Sequence, residues 1–136
     1  MNKTVILDFD NSTGTIPDAV RIELGQWQEA IRFGCSHARF SQLKQELEQK
    51  LPEHYGTVLM GSGDYHHVSL LLIKRLQQYF TATKPIEVVI FDNHPDNMRY
   101  LFGDSLWFLG ELCDAIAFVS HCACARYYFQ RYWLCS

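Results

Sequence analysis

The chain has 136 residues, of which 48% are apolar, with a formal net charge of −3 and a pI near 6.0. That is one domain's worth of globular composition, long enough to bury a core. The acidic balance supplies no basic field to hold nucleic acid or an anionic membrane, and no apolar run approaches the length of a membrane span.

The opening "MNKTVILDFDNS" has an apolar core of only three residues, so no secretory leader is read there and a cytoplasmic chain is expected. "TVILDFD", residues 4–10, is a short β-branched run ending in acid and predicts a buried strand. "NSTGTIPD" follows as a loop, broken by Gly14 and Pro17. From Asp18 to Phe33 the reading is helical: Asp18 can cap, Ile22, Trp27 and Ile31 fall near one face, and Gly34 would end it. A second helix is expected over 41–51, with Ser41 as cap and Leu43, Leu47 and Leu51 at spacing four.

"GTVLMGSGD", 56–64, predicts a strand running into a glycine turn, and "HHVSLLLIKRLQQYF", 66–80, a helix. Pro85 then precedes the strand "IEVVIFD", 86–92. This alternation is the rhythm of a parallel α/β sheet, whose ligands sit beyond the carboxyl ends of the strands. Asp8, Asp10, Asp64, Asp92, His94 and Asp96 would share that rim.

The stretch "VVIFDNHPDNM" carries Asp92, His94 and Asp96 at alternate positions. On extended backbone, which Pro95 favours at His94, such positions project to one side. Converging carboxylates repel unless a cation lies between them, and an oxygen-rich set with one imidazole suits Mg²⁺ or Mn²⁺ better than Zn²⁺. A solvated turn is the plainer alternative, since Asp, Asn and Pro are turn formers. In "GSGDYHHVS", His66 and His67 begin a helix beside the same rim; one could add an imidazole, or both could cap the helix in water.

"GSGDYHH" after a strand, then a helix, then "VVIFDNHPDN", resembles the arginase/agmatinase (ureohydrolase) family. Its members pair a Gly-Gly-Asp-His segment with an Asp-x-His-x-Asp segment on consecutive strands. The second match is full, at Asp92, His94 and Asp96; the first has Ser62 in place of a glycine and Tyr65 before the histidines. The resemblance spans roughly residues 56–103. It implies a three-layer parallel α/β sheet of arginase type, truncated, with residues 1–103 as its N-terminal part. It also implies two Mn²⁺ ions, with His66 or His67, Asp92 and Asp96 on one and His94 on its partner. A bridging hydroxide would attack the carbon of a small guanidino-type substrate. Oligomeric state is not legible.

A rival lies in "VILDFDNST". Asp8-x-Asp10-x-Ser12 after a strand looks like the opening of a haloacid-dehalogenase-type phosphatase, with Asp8 as phosphoryl nucleophile, Asp10 as general acid and Mg²⁺ as clamp. The usual glycine after the second Asp is Asn11, and no lysine segment follows a later strand.

Residues 104–136 change character. Cys113, Cys122, Cys124 and Cys135 crowd there while Cys35 stands alone, and neither Gly nor Pro follows Gly110. The family's third acidic segment, of Ser-x-Asp-x-Asp type, is missing after Gly103. A shifted reading frame would account for this. One inserted G in codons for Gly-Ile-His-Cys-Gly-Ser-Trp-Val yields Gly-Asp-Ser-Leu-Trp-Phe-Leu-Gly, as at 103–110. The same shift turns Val-His-Val-Leu-Gly-Ile-Ile into Cys-Ala-Cys-Ala-Arg-Tyr-Tyr, as at 122–128. Otherwise His121, Cys122 and Cys124, with Cys113, would bind a soft metal, or the segment is a plain terminal strand or helix with reduced, buried thiols. The expected product is an inactive or non-catalytic metal-binding fragment of a hydrolase.

Overall fold

A computed structural model describes residues 3–76, 86–91 and 119–125. They fall into two compact units, residues 3–69 and residues 70–76 with 86–91 and 119–125.

The first unit is built on β1 (Val5–Asp8), whose four residues are all buried. A run of Val, Ile and Leu ending in Asp suits a strand covered on both faces. β1 pairs in parallel with β2 (Val20–Glu23) on one side and β3 (Val58–Leu59) on the other, giving the order β2-β1-β3. Val5 is opposite both Val20 and Val58. The chain is therefore of α/β class with a small parallel sheet, as its alternating pattern predicts.

The helix expected over 18–33 is corrected. That stretch holds β2, a 3-10 turn at Gly25–Trp27 and the one-turn helix α1 (Gln28–Ile31). Val20, Ile22 and Leu24 alternate with Arg21 and Glu23, and this period of two prevails over the weak helical spacing. Asp18 caps nothing; it sits at φ 58° in the turn before β2. The connection from β1 to β2 is short for a parallel crossover. Asn11, Gly14 and Asp18 all take left-handed backbone, which lets it double back.

The second helix also starts earlier than expected. α2 spans His37–Lys50, and its cap is Ser36, whose hydroxyl accepts from the Arg39 N–H, rather than Ser41. Phe40, Leu43 and Leu47 form its buried stripe, and Leu51 beyond its end is also buried. α1 lies against α2, and the Trp27 indole N–H donates to Glu46 at 2.6 Å. Phe9, Leu24, Ile31, Tyr65 and Val68 complete the core of this unit.

After β3 a 3-10 helix, Gly63–Val68, runs into α3 (Ser69–Leu76), so the expected helix at 66 is entered through a tighter turn. In the second unit Leu70, Leu71 and Leu72 are buried, and β4 (Ile86–Phe91) pairs in parallel with β5 (Val119–Ala125). The segment holding His121, Cys122 and Cys124 is thus a strand, with Cys122 opposite Val88 and Cys124 opposite Ile90. The boundary expected at 103/104 lies outside the described residues. Among the described residues no helix is long and apolar enough to cross a membrane.

Candidate functional site

The carboxyl end of β1 delivers two aspartates to different tasks. Asp8 is 3% exposed; one oxygen accepts from the Asn11 N–H at 2.8 Å and the other is paired with the Arg21 guanidinium. Arg21 also donates to the Gly14 carbonyl, so the pair pins the β1–β2 loop. A buried carboxylate with both oxygens engaged is not presented to a phosphoryl group, which weighs against the phosphatase reading.

Asp10, two residues on, holds different partners. Its Oδ1 accepts from the Ser12 hydroxyl at 2.6 Å and the Ser12 N–H at 3.1 Å, and its Oδ2 accepts from the Ser62 N–H at 3.3 Å. Burial pushes its pKa up, but the hydrogen bonds from Ser12 and Ser62 outweigh that and hold it at about 2. Gly61, at φ +75°, closes the contact: a Cβ there would sit 2.6 Å from Asp10 Oδ1. Here the glycine permits both the left-handed turn and the close approach.

The glycine turn leads into the 3-10 helix with Ser62 at its start. Tyr65 is 1% exposed and stacks on Phe9 with centroids 4.8 Å apart, locking the helix onto the strand. Asp64 points outward to Arg32 Nε at 3.0 Å, and its carbonyl accepts from the Phe33 N–H at 2.9 Å. Phe33 is 61% exposed, takes φ 62°, and carries the Arg32 guanidinium 4.9 Å above its ring.

The two histidines differ. His66 is half-buried, and its Nδ1 donates to the Gly63 carbonyl at 2.7 Å. That bond places a proton on Nδ1, so a neutral ring would carry its lone pair on Nε2, as metal-ligating imidazoles commonly do. His67 is 2% exposed and stacks on Phe40 at 6.5 Å, with the His66 ring edge-on at 5.9 Å. Among the described residues neither His67 ring nitrogen has a hydrogen-bond partner. Burial, and then the neighbouring His66, lower its pKa to about 4, so it is a neutral imidazole at pH 7.

Of the expected ligands, His66 and His67 are therefore adjacent on the rim side of β1 and β3, while Asp92, His94 and Asp96 lie outside the described residues, as does Cys113. Among the described residues no group of three or more His, Cys, Asp or Glu side chains is placed to hold a metal ion. Sequence reasoning missed Arg21, Arg32 and the Asp10–Ser62 contact. A basic residue following the loop by several positions was the only available hint of the Asp8 pair, and it is not a specific one.

Comparison with known proteins adds little chemistry. No family model matches the chain. An uncharacterized protein of Thermotoga maritima is 37% identical over 51 residues, covering 38% of this chain and 19% of that protein. The chain thus aligns with about a fifth of that relative's length. No solved structure matches.

Proposed function

We propose that this chain carries the N-terminal part of an arginase-type metallohydrolase fold and retains part of its metal site. His67 or His66 would be the imidazole donor, Asp92 and Asp96 would share its ion, His94 would serve the partner ion, and Mn²⁺ is the expected metal. The observation that carries this reading is His67: a buried, neutral imidazole with no partner for either nitrogen among the described residues. An unmade hydrogen bond of that kind costs about 1–3 kcal/mol, and a cation at the strand ends would offset it. The parallel sheet and the His66 tautomer fit the same chemistry. When bound, a divalent ion supplies Lewis acidity for attack of water on a carbon joined to nitrogen. Guanidino compounds are the substrate class of the proposed parent fold. The sequence has no Ser-x-Asp-x-Asp segment after Gly103, so turnover by this chain is not expected.

The test is Mn²⁺ titration of the full chain followed by electron paramagnetic resonance, with urea release measured in parallel. At most one tightly held ion per chain and no urea are expected, with binding lost in the Asp92→Ala/Asp96→Ala variant. Mn²⁺ uptake equal in the chain and that variant would refute the site. The coding DNA read in its other frames past the Gly103 codon checks the origin of the tail; a Ser-x-Asp-x-Asp segment in a continuous second frame is the expected find.

A further inference from the structure

Asp8 and Asp10 belong to one motif, yet only Asp10 spans to the histidine-bearing turn, 52 residues away in sequence. We propose that Asp10 is the positioning residue of the histidine pair. Its carboxylate, planted just beyond β1, sets the start of the 3-10 helix that carries His66 and His67. This rests on the reading above that those histidines serve a metal.

The geometry is a chain of short links. Asp10 Oδ2 accepts the Ser62 N–H, and the Ser62 carbonyl accepts the Tyr65 N–H at 3.3 Å, the first bond of the helix. Gly63, next in line, accepts the His66 Nδ1 proton through its carbonyl. The backbone also runs close to Asp10 at the residue before: a Cβ on Gly61 would sit 2.6 Å from Asp10 Oδ1. Ser12 holds the other carboxylate oxygen, so Asp10 cannot rotate away without losing two donors. Displacing Asp10 therefore frees the turn at its first residue, and the His66 tautomer is set one residue later. Outer partners of this kind typically change metal affinity by about 10–100-fold when lost.

Two variants remove the link from opposite ends. Asp10→Ala deletes the acceptor. Ser62→Pro deletes the donor at a residue whose φ of −75° suits proline, and its ring Cδ, standing where the N–H met Asp10, also drives the carboxylate off. Both are made in the full ¹⁵N-labelled chain, and two properties are read without metal: exchange of the Tyr65 amide and the His66 ring-nitrogen shifts. Mn²⁺ affinity is measured separately. In either variant Tyr65 exchange should quicken about tenfold and the His66 nitrogens should move toward tautomer-averaged shifts. Mn²⁺ should bind about tenfold or more weaker, and the double variant should be no worse than either single one, because both remove one interaction. Ser12→Ala, which leaves the Ser62 link in place, should keep the His66 signature. Native-like Tyr65 exchange and His66 shifts in either folded variant overturn the proposal, as does full additivity in the double variant. Should Asp10→Ala not fold, Ser62→Pro alone decides. If the metal-free effects appear but the parent chain binds no Mn²⁺, the positioning role stands and the metal reading fails.

Discussion

Replacing His67 by leucine should remove a defined part of the pH dependence of stability. The imidazole has its ordinary pKa of 6.5 when unfolded and about 4 in the folded chain, because burial disfavours its cation. Above pH 6.5 both states hold it neutral and its contribution is constant. As pH falls from 6.5 towards 4 the unfolded state takes up a proton that the folded state refuses, so stability is lost across that window and no further below it. A gap of about 2.5 between the two values, at ~1.36 kcal/mol per pKa unit, is about 3 kcal/mol, most of it reached by about pH 4.5. Leucine has similar volume and no proton to bind. The assay is urea unfolding of the chain and His67→Leu at pH 7.5 and 4.5 in chelator. Other groups titrate too, so the quantity that matters is the difference between the two proteins in their loss from pH 7.5 to 4.5, expected at about 2.5 kcal/mol. At pH 7.5 the variant should be at least as stable as the parent, since an unpartnered polar ring has been exchanged for an apolar side chain. Equal pH dependence in the two proteins would show that His67 is not held neutral by burial, and the reasoning would fail.

Two further outcomes are expected. Ser36→Ala should cost about 1 kcal/mol in thermal or denaturant unfolding through loss of the α2 cap, whereas Ser41→Ala, on the exposed side of the same helix, should lie within about 0.5 kcal/mol of the parent. Arg21→Ala should destabilise by about 1–3 kcal/mol at pH 7, because the buried Asp8 carboxylate then keeps only the Asn11 N–H, and adding Asp8→Asn should recover part of that loss.

How much was legible depended on where each decision was made. β1 could be read because an uninterrupted Val-Ile-Leu run has few alternatives to a strand covered on both faces. β2 was misread because residues 18–33 carry two weak periodicities, and pairing along β1 decided between them. The α2 cap was misplaced because Ser36 and Ser41 are equally good caps locally; helical backbone continuing back through Phe40, which is buried, selects the first. The sheet class and the glycine turn were visible because they rest on residue type. The splitting of Asp8 and Asp10 between Arg21 and Ser62 was not, since it depends on partners 13 and 52 residues away that no local pattern announces.

The order β2-β1-β3 also has a consequence for how the chain acquires its structure. Val5 meets Val20 across 15 residues and Val58 across 53. Loop-closure entropy makes the second meeting costlier by about 1 kcal/mol, and β3 offers only two residues in return. The central strand therefore finds one neighbour early and waits for the other. Until Val58 and Leu59 arrive, β1 has an open flank of unpaired amides and carbonyls, in its most apolar stretch, that another copy of the chain can pair with. A nascent or refolding chain is thus most prone to self-association in the interval before β3 docks, and dilution or low temperature during refolding should raise the yield more than any change made in the finished fold.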